Sequence, residues 1–125
     1  MSEESQMKTR SLARVASVIE MGNEVVINRG SDDGVKSGDR YLIYGLGEEL
    51  IDPETGESLG QLELVRGRGV VVHVQSKMST LRSVETRVRK RTHNSLSTAF
   101  AAWIDESPEQ LPFNGAATGD YAKPV

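Results

Sequence analysis

Turn-forming clusters interrupt this chain roughly every ten residues between Met21 and Gly69, a spacing that admits strands and leaves no room for a long helix. Gly22-Asn23 offers a two-residue turn between the Val- and Ile-rich run Leu12 to Met21 and the run Glu24-Val25-Val26-Ile27-Asn28, making the two a hairpin. Gly30, Gly34 and Gly38 then recur at fourfold spacing through Arg29 to Asp39, where a reversing loop needs backbone positions with positive φ. Arg40-Tyr41-Leu42-Ile43-Tyr44 is the next β-rich run. In Asp52-Pro53-Glu54-Thr55-Gly56, Pro53 pre-sets φ for the second position of a type I turn. Asp52 can bond the backbone two residues on, and Gly56 suits the left-handed position that closes a bulged hairpin. Glu48 to Ile51 and Glu57 to Val65 are the expected flanking strands.

Arg66-Gly67-Arg68-Gly69 is ambiguous between an RNA contact and a glycine-flanked hairpin turn, which explains it without RNA, and Val70 to Gln75 after it is the strongest β stretch in the sequence. Strict alternation there puts Val70, Val72 and Val74 on one face, with Val71, His73 and Gln75 on the other, so His73 is expected to be half exposed. Five or six short strands at this spacing predict an all-β fold, a small antiparallel barrel or barrel-like sandwich over residues 8 to 82. A domain of about 75 residues buries only about 60% of its unfolded surface, so its edges are expected to close into a barrel or be covered by self-association.

The stretch Val25-Val26-Ile27-Asn28-Arg29-Gly30-Ser31-Asp32-Asp33-Gly34-Val35-Lys36-Ser37-Gly38-Asp39-Arg40-Tyr41-Leu42-Ile43-Tyr44, continued by Asp52-Pro53-Glu54-Thr55-Gly56-Glu57-Ser58-Leu59-Gly60, resembles the C-terminal domain of the flagellar assembly protein T. The resemblance covers about residues 10 to 80. It implies a small β barrel from a periplasmic protein that helps build a ring around the flagellar basal body. It also implies a non-enzymatic, scaffold-like role and supplies no catalytic residues.

Charge by segment marks a boundary near Arg82. Residues 1 to 7 and 8 to 81 each carry a net −2, residues 82 to 91 carry +4, and residues 92 to 125 carry −3. Residues 1 to 7 are expected to be disordered, and residues 83 to 93 to form a basic extended arm or final strand. Within 94 to 106, Leu96, Ala99, Phe100, Trp103 and Ile104 fall on one face of a short amphipathic helix that Asn94 or Ser95 can cap. A helix of that length does not persist alone, so Leu96, Phe100, Trp103 and Ile104 are candidate contacts for the barrel, a second copy or another protein. Residues 107 to 125, with Pro108, Pro112, Gly115, Gly119 and Pro124, are expected to be disordered.

The residues argue against catalysis. There is no cysteine, and two histidines, His73 and His93, cannot assemble a His-rich zinc site or a Cys/His nucleophile. Gly30 to Ser37 departs from a phosphate-binding loop because Val35 separates Gly34 from Lys36, and Asp32 and Asp33 place negative charge where phosphate would sit. Asp32, Asp33 and Asp39, like Asp52, Glu54 and Glu57, lack the ligand periodicity of a calcium loop and suit turn acids. No Gly-x-Ser-x-Gly elbow announces a nucleophilic serine. The expectation is therefore a non-enzymatic interaction or assembly module with no cofactor, no metal and no small-molecule substrate, whose partner is another protein or a second copy.

The competing class is a nucleic-acid-binding protein that uses Arg82, Arg87, Arg89, Lys90 and Arg91 against phosphates. A sequence pI near 5.4 and few aromatic stacking platforms weigh against it. No apolar run suits a membrane span or a secretory signal, so no membrane insertion is expected. A complete chain would then be cytoplasmic, whereas a piece of an exported protein would be periplasmic, as the resemblance implies.

Overall fold

The computed structural model describes residues 12–87 and 109–125. Among these residues eight strands run in the order β1 (Ala13–Ile19), β2 (Glu24–Ile27), β3 (Arg40–Ile51), β4 (Ser58–Val74), β5 (Ser79–Ser83), β6 (Thr86–Arg87), β7 (Glu109–Gln110) and β8 (Tyr121–Pro124). Six of them form a closed antiparallel barrel in the order β1-β2-β5-β4-β3-β8, and β6 pairs with β7 in a separate two-stranded sheet. Alternation sets the interior: Ala13, Val15, Val25, Ile27, Tyr41, Ile43, Val71, Leu81, Phe113 and Ala122 make one buried cluster, with Val35 contributed by the loop before β3. The all-β barrel expected from the turn spacing is the fold observed.

The turns divide by cause. Gly34, Gly38 and Gly56 have φ of 84°, 94° and 74°, the left-handed region their spacing required. Asp39 Oδ2 accepts from the Lys36 N–H at 2.9 Å, and Asp52 Oδ1 accepts from the Glu54 N–H at 2.8 Å. The Gly56 N–H donates to the Asp52 carbonyl at 2.8 Å, closing the hairpin around Pro53. Gly30 has extended backbone instead; a Cβ there would lie 2.2 Å from the Gln75 carbonyl oxygen, so what it supplies is close approach between two loops. The β1–β2 turn also differs from Gly22-Asn23. It occupies Glu20 to Asn23, and Glu20 and Met21 take φ of 53° and 56° before Gly22 at 88°. Asn23 holds this turn by donating from its N–H and its side-chain amide to the Glu20 carbonyl.

Arg66-Gly67-Arg68-Gly69 is not a turn. β4 continues through it for 17 residues, with a bulge at Arg66 beside which Gly67 takes φ of 137°, and both glycines lie against Phe113. A Cβ on Gly69 would be 2.8 Å from Phe113 Cζ and 3.2 Å from Leu81 Cβ. A register shift between Val71 and His73 breaks the expected alternation in the Val-rich stretch. Val71 and Val74 turn toward the core, while Val72 and His73 are exposed.

The expectation of disorder across residues 107–125 is overturned for 109–125. Ala122 is buried between Ala13 and Ile43 as β8 fills the gap between β1 and β3, and Phe113 is 4% exposed. The prolines and glycines that suggested disorder shape the path to β8: Gly115 and Gly119 take φ of 72° and 96°. The Asp120 carboxylate accepts from the Ala117 N–H at 2.9 Å and from Arg66 Nε at 3.2 Å, fastening this return to β4. The barrel is thus completed by residues well beyond Arg82, since β8 is one of its six strands.

Candidate interaction surface

β3 and β4 outrun the barrel. β8 accompanies β3 only as far as Tyr44, and β5 accompanies β4 only from Gly69 onward, so the pair continues as a two-stranded arm. Beyond Tyr44 and Arg66, no further strand lies beside either edge among the described residues. Leu46 pairs with Glu63, Glu49 with Gln61, Leu50 with Gly60 and Ile51 with Ser58, with shifts that put Leu59 out of register. By this register Leu50, Leu62 and Leu64 share one face with Gly45 and Gly47, while Leu46, Glu49, Ile51, Gln61 and Glu63 share the other.

Every residue from Ser58 to Val65 is exposed. Among the described residues, seven of the thirteen exposed large apolar side chains fall on this arm (Leu46, Leu50, Ile51, Leu59, Leu62, Leu64 and Val65), divided between its two faces, with Leu50, Leu62 and Leu64 together on one of them. An isolated two-stranded ribbon of this kind is marginal in water and presents open backbone edges. The arm is also strongly acidic: Glu48, Glu49, Asp52, Glu54, Glu57 and Glu63 lie between Leu46 and Val65, with no Lys, Arg or His.

The outer wall of the barrel across β8, β3, β4 and β5 has the opposite sign. Register places Leu42 between Lys123 and Arg68, and Val70 between Arg40 and Arg82. One row further on, Tyr44 stacks on Tyr121 with ring centroids 5.7 Å apart, Arg14 lying 4.5 Å from the Tyr121 centroid and Lys123 4.9 Å from that of Tyr44. Lys123 Nζ donates to Glu63 Oε1 at 2.9 Å, and this bond raises the lysine pKa. Arg82 is tied to Glu24 at 3.0 Å. Arg40 and Arg68 have no carboxylate partner for their side chains among the described residues.

Of the residues singled out in the sequence, Gly30, Gly34, Gly38, Asp39, Asp52, Pro53 and Gly56 build turns. Arg82 stands on the wall and Arg87 bonds Glu109 at 3.2 Å. Arg89, Lys90, Arg91, Leu96, Phe100, Trp103 and Ile104, with the helix expected over 94–106 and residues 1–7, lie outside the described residues. The Ser31 and Asp32 N–H groups in the glycine loop donate to the Gln75 and Ser76 carbonyls, so they do not face an anion. An open cleft of about 530 Å³ beside that loop is lined by Leu12, Arg14, Asn28, Arg29, Asp32, Asp33 and Lys77. Arg29 there staples backbone, donating to the Asn28 and Leu12 carbonyls. No group of three or more His, Asp or Glu side chains placed to hold a metal occurs among the described residues. None of their helices is long and apolar enough to cross a membrane.

Sequence reasoning missed the arm. Its leucines were legible as strand residues, but nothing local distinguishes a strand face that will be covered from one left open. No family model matches the chain, and no curated protein matches it.

Proposed function

We propose that this chain is a non-enzymatic protein-interaction or assembly module whose contact surface is the β3–β4 arm. The observation that carries this reading is the concentration of seven exposed large apolar side chains on a ribbon whose two edges have no neighbouring strand among the described residues. Exposed apolar side chains grouped on one strand face, as Leu50, Leu62 and Leu64 are, mark contact sites in soluble proteins, and an open strand edge adds main-chain hydrogen bonding to the contact. The resemblance to a scaffold barrel of flagellar assembly agrees with such a role, and would place the chain in the periplasm if it is a piece of an exported protein.

The test is to install a photo-crosslinking residue at Leu62 and, as a control, at Ala16, exposed on β1. Discrete protein adducts are expected from position 62 only, and they should vanish when Leu50, Leu62 and Leu64 are replaced by Ser in a chain carrying the crosslinker at Leu59. That triple variant should keep the fold with only a small fall in melting temperature, since between 37% and 45% of each residue is exposed and none belongs to the core cluster. Adducts that persist in it would sink the reading.

A nucleic-acid reading gains one observation, the cations at Arg40, Arg68 and Lys123 on the wall with Arg14 beside them. It loses another, because Arg82 and Arg87, the described part of the basic segment, are held in ion pairs. Steep loss of oligonucleotide binding with added salt would favour it.

A further inference from the structure

We infer that the occupant of the arm is a second copy of this chain, seated on the cationic wall of the neighbouring barrel. The inference rests on the arm being a contact surface, as proposed above, and adds what it contacts. Arm against arm is disfavoured outright: each carries six carboxylates and no cation between Leu46 and Val65, so two arms face each other with like charge. The wall answers the arm in both chemistries. Leu42 and Val70 form an apolar centre, half-buried within one chain, and Lys123, Arg68, Arg40 and Arg82 flank it on either side. Leucines bordered by carboxylates meet aliphatic residues bordered by cations.

This pairing is already made once inside the chain. Where the root of the arm passes the wall, Glu63 bonds Lys123 at 2.9 Å. Further along, Glu48, Glu49, Asp52, Glu54 and Glu57 form no ion pair, and Arg40 and Arg68 on the wall likewise have none, among the described residues. The strands of the wall belong to a closed barrel and have no free edges, so the contact is made by side chains, face on.

Arm and wall are different surfaces of the same chain, so the contact is heterologous. Each copy that donates its arm still offers a wall, and copies add head to tail, into a ring if the rotation closes and a filament if it does not.

Sedimentation velocity on the full chain, over a range of concentrations at low and high salt, tests this directly. The wild type is expected to assemble as concentration rises, and more weakly as salt is added. Reversal of the arm (Glu48→Lys, Glu49→Lys, Glu54→Lys) and reversal of the wall (Arg40→Glu, Arg68→Glu) should each weaken self-association by about tenfold or more. All five side chains are exposed, so the fold should survive both changes. Mixing the two variants should restore assembly, because each reversed surface then meets its complement.

A mixture that stays monomeric, or a wild type that never associates, overturns the inference. If the wild type is monomeric yet crosslinks from Leu62 still reach a different protein, the inference fails while the arm keeps its role. If instead the wall variant loses affinity for a fluorescent single-stranded oligonucleotide that the monomeric wild type binds, the wall is a nucleic-acid surface and the inference is likewise overturned.

Discussion

Phe113 tests whether the return segment belongs to the fold. Its ring is 4% exposed, and its Cζ lies 2.8 Å from where a Cβ on Gly69 would stand. Phe113→Ala removes a fully packed aromatic and should cost about 3–5 kcal/mol, a large part of the roughly 5–15 kcal/mol that holds a domain together. A more discriminating version is a cycle between Gly69→Ala and Phe113→Leu. Alone, Gly69→Ala forces a methyl against the ring and against Leu81, an overpacking cost of about 1–3 kcal/mol, partly offset by the smaller entropy loss of Ala in a strand. Leucine has no atom at the Cζ position, so in the Phe113→Leu background the methyl gains room and its cost should fall. The coupling should reach about 1 kcal/mol, measured from urea unfolding monitored by circular dichroism with the slope checked for constancy. Strict additivity, within about 0.3 kcal/mol, would mean that Phe113 does not pack on Gly69 and would refute the account of how residues 109–125 enter the barrel.

Two further outcomes follow from the backbone and from titration. Met21 is 97% exposed at φ 56°, so Met21→Gly relieves a left-handed residue without losing packing and should stabilise the domain by about 1 kcal/mol, read as a raised urea midpoint. Tyr41 is pushed above the ordinary tyrosine value of 10.0, chiefly by burial and then by the Asp39 charge, and Lys123 is raised above 10.5 by its bond to Glu63. Both hold their protons more tightly folded than unfolded, so their contributions are whole below about pH 10 and drain away as pH rises through the folded values. Stability should therefore fall above about pH 10, and Tyr41→Phe should flatten part of that fall; an identical alkaline profile would show that the buried hydroxyl does not matter.

The sequence was legible wherever the cause of a structure is local. Gly34, Gly38 and Gly56 announce left-handed turns because only glycine takes that conformation without cost, and Asp39 and Asp52 bond backbone within three residues of themselves. It was misleading where the same residue type serves a distant neighbour. Gly69 looks like part of a turn, yet it is small because Phe113, more than forty positions away, needs the space, whereas Gly67 also takes a positive φ of 137° beside a bulge. Tyr121 to Pro124 carries only a weak strand signal, and becomes a strand because β1 and β3 both present an open edge to it. The arm was half legible: its turn chemistry was plain, but whether Leu50, Leu62 and Leu64 are covered depends on strands that end elsewhere.

The position of β8 also sets a schedule for folding. Ala13 pairs with Ala122, so the outer edge of β1 stays unsatisfied until more than a hundred further residues have been made. Until then β1 and β3 are both open, and the nascent chain carries two unpaired strand edges beside the acidic arm. Contacts that span so much sequence are slow to form, since the chain between them must be closed before they reward it. The charge crowded onto the arm then has a use before any partner arrives, holding unfinished copies apart while their barrels remain open.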